Sequence, residues 1–193
     1  MDSARHLDAS VKIPLSFIGR TEILELIDNE ELEIDPLLPE LISWDKIDLR
    51  IGSELVRLKS TGTIFDVRDH DDKSMFFQRE CASEFVINLN ERVLMCTIER
   101  IRLPPNILGI VGLKSSFSRL GLQSNMGLVD PGFSGQLTLE VTGSAFPIRL
   151  RSGESMFHMA LASLRPENTH IYSGKYRNQT GPTIPRFDVN PEP

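Results

Sequence analysis

A mainly β protein is what three features of the chain predict. From residue 47 onward, short runs rich in Val, Ile, Leu and Phe alternate with turn residues. Within EFVINLN (84–90), Phe85, Ile87 and Leu89 alternate with Val86, Asn88 and Asn90, which sets one mainly apolar face against a core. No long helical pattern separates these runs, so a parallel βαβ sheet is not expected. The pattern is that of an antiparallel sandwich or barrel with a few short helices.

Residues 1–18 lack strong periodicity and are read as an N-terminal arm. A helix is expected over TEILELIDNEELEI, capped by Thr21, with Glu22 and Glu25 favoured by the helix dipole and Ile23, Leu24 and Ile27 on one face. Pro36 and Pro39 then punctuate the chain. KIDLRIG, ELVRLKS, TIFDVRD, EFVINLN, RVLMCTIERIRL, ILGIVGL, QLTLEVTG and FPIRLRSG are each expected to be strands. From Pro166 the chain turns polar and proline-rich, the composition of a tail, yet it holds Tyr172, Lys175, Tyr176, Arg177 and Gln179 close together. The expected organisation is one domain over 1–193: arm 1–18, core 19–165, and a C-terminal lid or tail 166–193.

Bulk properties bound the function. The 193 residues are 40% hydrophobic and 25% charged, enough apolar material for a core. No apolar run approaches the roughly 18 residues of a membrane span, and MDSARHLDAS does not resemble a signal peptide. Cys81 and Cys96 do not make a disulfide framework and are read as reduced, in or near the core, with the cytoplasm as the default compartment. A formal net charge of −6 argues against general nucleic-acid binding. A small polyanion remains compatible, provided a local cationic cluster receives it.

Two segments hold such chemistry. In GLKSSFSRLGL (112–122), Ser115 and Ser116 lie between Lys114 and Arg119. Hydroxyls, backbone N–H groups and paired cations suit phosphate oxygens, and a polar helical turn facing water is the plain alternative. In NMGLVDPGFSGQLTLE (125–140), DPG marks a turn, and Gln136, Thr138 and Glu140 then share one strand face opposite Leu137 and Leu139. A lone solvent-facing glutamate is the plain reading of Glu140.

KSSFSRLGL, VDPGFSGQLTLE and GKYRNQTGP occur in this order, with LEIDP and IDLRIG upstream, and the set resembles the dCTP deaminases and bifunctional dCTP deaminase/dUTPases over residues 20–186. The resemblance implies a distorted antiparallel β-barrel or jelly roll of the dUTPase type. It also implies a homotrimer with active sites between subunits, and a tail that closes over the nucleotide. Glu140 matches the catalytic glutamate, while Ser115 and Arg119 match the pair that positions the attacking water and the carboxylate. Lys114 and Ser116 match phosphate-binding positions, Asp130 the contact to the 3′-hydroxyl, and Thr138 the backbone that reads the pyrimidine edge. Tyr172, Lys175 and Gln179 match tail contacts to the triphosphate, where Mg2+ would also sit. Zinc is not expected, because the H-x-E and P-C-x-x-C pattern of zinc deaminases is absent; the four histidines are read as structural or exposed. The segment QSNMGLV (123–129) departs from the dedicated deaminases and is closer to the bifunctional enzymes through Asn125 and Gly127. Deamination of dCTP, pyrophosphate release from dUTP, and nucleotide binding without turnover therefore all stay open on sequence.

Overall fold

The computed structural model describes residues 16–68, 73–164 and 171–187. The remainder of the expected arm, His6, His70, His170 and the last six residues lie outside the described residues.

Among the described residues, ten strands and two short α-helices, with 3-10 turns at Pro39–Leu41 and Lys73–Met75, follow one another: α1 (Arg20–Asp28), β1 (Glu33–Asp35), β2 (Ile47–Leu58), β3 (Phe77–Cys81), β4 (Glu84–Ile87), β5 (Arg92–Arg102), β6 (Ile107–Leu113), α2 (Ser115–Arg119), β7 (Gly127–Val129), β8 (Ser134–Thr142), β9 (Ile148–Arg151) and β10 (Ser155–Ser163). One eight-stranded sheet runs β1-β5-β2-β10-β6-β7, with β3 on β2 and β8 on β5, and β4 and β9 form a separate pair. Every described pairing is antiparallel. Ile47, Leu49, Leu55, Phe85, Met95, Ile101, Phe157 and Leu161 lie at the centre of the core.

Several expectations change in the folded chain. The helix ends at Asp28, because the chain turns at Asn29 and Glu30 (φ 60°) and delivers Leu32 and Ile34 to the core through β1. Thr21 lies inside the helix; Gly19 occupies the cap, without a side-chain bond. KIDLRIG and ELVRLKS are one continuous strand, β2, whose pairing with β5 shifts register between Ile51 and Leu55. TIFDVRD is not a strand. Ile64 and Val67 point to solvent, and Phe65 packs edge-on against Phe76 at 5.0 Å and Phe77 at 6.2 Å, so ring packing rather than a ladder holds this loop. Leu89 sits past the end of β4 and is exposed.

Two bulges matter for the site. In the β5–β8 ladder the register shifts between Cys96 and Arg100, so the carbonyls of Thr97 and Ile98 leave the strand ladder. Glu99 lies within that bulge and is fully buried (0% exposed). Its carboxylate accepts from Arg50 twice, from Nε at 2.6 Å and from the backbone N–H at 2.9 Å, so both oxygens are used.

The cysteines part company: Cys96 is buried and Cys81 is exposed. Burial, reinforced by the Glu54 charge, pushes the Cys96 thiol up to about 11. Because the thiolate is the reactive form, maleimide near pH 8 is expected to label Cys81 and to leave Cys96 unlabelled until the chain is unfolded. Peptide mapping by mass spectrometry checks this, and equal labelling of both in the native protein would contradict it.

Candidate active site

The KSSFSR segment is the short helix α2, entered straight from β6. Lys114 takes the extended cap position (φ −65°, ψ 142°), and its backbone N–H donates to Met156 O. Its ammonium is held by the Asp48 carboxylate and by Ser155 Oγ, which leaves one of its three donors for a ligand. Ser115, Ser116 and Arg119 face solvent, and Arg119 has no ion pair among the described residues. Gly121 ends the helix at φ 90°, where a Cβ would stand 2.6 Å from Ser144 Oγ. The chain then runs back along β8, with Gln123 bridging Thr142.

That return path passes Glu140. On β8, burial alternates strictly: Leu137, Leu139 and Val141 are buried while Gln136, Thr138 and Glu140 face the other way. The Glu140 carboxylate is half-buried and accepts a 3.3 Å hydrogen bond from Asn125 Nδ2. It lines a cavity of about 780 Å3 with Asn125, Gln123, Ser118, Thr142 and Arg92. Ser118 of α2 lines this cavity, whereas Ser115 and Arg119 are not among its lining residues.

Two residues along β8, a second cavity of about 340 Å3 opens. Asp130, Phe133, Thr138, Tyr172, Tyr176 and Gln179 line it. The DPG turn is closed by Phe133 N–H donating to Asp130 O (3.0 Å), with Phe133 buried and its ring 5.8 Å from Tyr172. The tail therefore lies on the body of its own chain. Tyr172 N–H donates to Pro131 O (3.0 Å), and Thr183 N–H to Thr138 Oγ1 (3.0 Å). Gln179 is buried, its Nε2 donating to Gln136 O (2.7 Å) with one amide hydrogen still available. Lys175 Nζ lies 5.7 Å over the Tyr176 ring.

Of the residues read from sequence, Asp130, Thr138, Tyr172 and Gln179 meet in one cavity, and Glu140 faces the neighbouring one. Sequence reasoning missed Asn125 as the carboxylate's partner and Gln136 as a tail contact. The second was signalled by its place on the outward face shared with Thr138 and Glu140.

Set against solved proteins, the fold is that of the 2′-deoxycytidine 5′-triphosphate deaminase of Agrobacterium tumefaciens, with a TM-score of 0.63 at 20% identity. The match covers 78% of this chain and 49% of that one, so this chain spans about half the length of that protein. Residues 17–164 match the family model described as dCTP deaminase-like. Among curated relatives, a dCTP deaminase of Metallosphaera sedula is 40% identical over 170 residues, covering 88% of this chain and 98% of its own. A probable deoxyuridine 5′-triphosphate nucleotidohydrolase of Sulfolobus islandicus rod-shaped virus 1 is 36% identical over 167 residues, covering 86% and 96%. The chain belongs to the dCTP deaminase-like family.

Proposed function

We propose that the protein hydrolyses dCTP to dUTP and ammonia, with Glu140 as the proton-transfer group. The observation that carries this reading is the Glu140 carboxylate. It sits half-buried in a polar cavity, fixed by Asn125, on the strand whose neighbouring outward residue, Thr138, lines the cavity beside Asp130. The dCTP deaminase relatives support it.

Water attacks C4 of cytosine and an amine departs. Water is a weak nucleophile and NH2⁻ does not leave at neutral pH, so a base must take a proton from water and an acid must supply protons to N3 and to the leaving nitrogen. Glu140 does both in turn, a contribution on the order of 10²–10⁴-fold. Asp130 meets the 3′-hydroxyl and the Thr138 backbone reads the pyrimidine edge. Lys114, Ser116, Tyr172, Lys175 and Gln179 receive the triphosphate. Mg2+ arrives on the triphosphate as part of the substrate. Its ligands there are the nucleotide's own oxygens and water.

Ser115 and Arg119 act from a second copy. They are exposed on α2, and Met126 (72% exposed), next in sequence to Asn125 of the Glu140 cavity, and Leu128 (63%), which lines the neighbouring cavity, are also solvent-facing. Apolar side chains left bare beside a polar site fit burial by another subunit. In a homotrimer, Ser115 and Arg119 of the partner subunit complete each site, placing a cation and a hydroxyl beside Glu140. Among the described residues no helix is long and apolar enough to cross a membrane. The two free cysteines suit a reducing cytoplasm.

The test is product analysis. Purified protein with dCTP and Mg2+ is expected to release ammonia and accumulate dUTP. Pyrophosphate from dUTP would instead favour the reading carried by the viral relative and the QSNMGLV segment. Binding without any product would leave a nucleotide-binding protein. Mixing Glu140→Gln with Arg119→Ala protein, each inactive alone, is expected to restore about a quarter of sites if the site is shared between copies; no restoration after subunit exchange would place the whole site in one chain.

A further inference from the structure

The geometry points to Gln136 as a positioning residue: its side chain latches the C-terminal tail across the nucleoside cavity. The inference rests on the proposed function only for its kinetic consequence. The latch itself is a matter of hydrogen bonds within the chain.

The bulge in β5 leaves the carbonyls of Thr97 and Ile98 outside the ladder, and Gln136 Nε2 donates to both, at 3.0 and 3.1 Å. Two acceptors on one nitrogen fix the plane of the amide. Its oxygen then faces the tail, where Oε1 accepts from Gly181 N–H at 2.7 Å. The backbone of Gln136 makes two further bonds to the same segment, N–H to Gln179 O at 3.0 Å and O from Gln179 Nε2 at 2.7 Å. Two residues on, Thr138 Oγ1 accepts from Thr183 N–H at 3.0 Å. The two-residue step of the strand from 136 to 138 thus matches the two-residue step of the tail from 181 to 183.

Gly135 makes this approach possible. It has φ 146°, and a Cβ there would come 3.0 Å from both Gln179 N and Gln179 O. Farther along, Asn178 N–H donates to Ser134 O at 2.6 Å, and Arg100 Nη2 bridges Ser134 Oγ and Asn178 Oδ1. The side chain of Gln136 joins bulge, strand and tail directly at the cavity, with Arg100 making a second tie farther along. A bulge in β5, remote from the cavity in sequence, thereby decides how firmly Tyr176 and Gln179 stand over Asp130 and Thr138.

Amide hydrogen exchange on the nucleotide-free full chain reads the latch directly. In Gln136→Ala, exchange across residues 177–184 is expected to rise roughly tenfold, the worth of one good hydrogen bond, while β2 and β10 amides stay within about twofold. Gln136→Leu keeps the side-chain volume without its donor or acceptor, and it is expected to reproduce this effect. Unchanged tail exchange in Gln136→Ala, or an effect in Gln136→Ala that Gln136→Leu does not share, overturns the latch. A rise spread equally through β5 and β8 also overturns it, since Gln136 would then be a staple of the sheet. In turnover, Gln136→Ala is expected to raise the KM for dCTP about tenfold with kcat nearly unchanged; a fall in kcat at constant KM would contradict a positioning role. If the unaltered protein does not release ammonia from dCTP, the proposed function fails, while the exchange result still stands or falls alone.

Discussion

Glu140→Gln is expected to bind dCTP with nearly unchanged affinity and to release ammonia at least ~10²-fold more slowly, the lower end of what general acid–base catalysis supplies. The substitution is nearly isosteric, and its carbonyl oxygen keeps an acceptor for Asn125 Nδ2. What is lost is basicity: an amide takes no proton from water and delivers none to N3 or the departing nitrogen. The strand itself is unaffected, because position 140 faces away from the buried Leu139 and Val141. Calorimetric titration of dCTP and a coupled ammonia assay separate the two effects. Ammonia release at the original rate would remove Glu140 from the chemistry, and loss of binding with loss of activity would make its role one of architecture.

The second large effect concerns stability. Arg50→Leu is expected to cost about 3–5 kcal/mol, because Glu99 then keeps its charge in the core with its guanidinium partner gone. Glu99 is 0% exposed, the Arg50 side chain is 19% exposed, and the Nε–Oε1 distance is 2.6 Å. The backbone N–H of Arg50 survives the change, so one of the two bonds to the carboxylate remains. Replacing both partners, Arg50→Leu with Glu99→Leu, is expected to recover much of the loss, since an apolar pair leaves no stranded charge. Urea unfolding measures all three proteins. An unchanged midpoint for Arg50→Leu would mean that the ion pair contributes nothing to the stability of the fold.

The strands with clean alternation were legible in the sequence, and those without it were not. In β8 each apolar residue is followed by a polar one, and the burial follows that order residue by residue. β10 (SMFHMALAS) escaped because it is flanked by β2 and β6 and packs apolar residues on both faces, so no period of two survives. β3 (FQREC) escaped for the opposite reason, as a mostly polar strand with no apolar face to read. Ile64 and Val67 misled because β-branched residues in a loop look like those in a strand until a pairing partner is sought.

The site divides in the same way. The facing of Thr138 and Glu140 was readable because a turn signature sets the phase of the strand behind it. The commitment of Lys114 to Asp48 joins residues 66 apart in the chain, and no local pattern carries such a contact. The Gln136 bonds depend on a bulge, a feature of pairing between strands rather than of either strand alone. Ser115 and Arg119 are exposed on α2 while Glu140 faces a cavity with Asn125, and no local pattern carries that arrangement.

The alternation along β8 also limits how this protein can change length. A single residue inserted directly after Gly135 would invert every side chain beyond it, sending Glu140 inward and Leu137 and Leu139 out to solvent. Insertions there must come in pairs or not at all. Neither end of the strand is slack: the turn before it holds Asp130 and the Phe133 contact to Tyr172, and beyond it a Cβ at Gly143 would clash with Asn88 O.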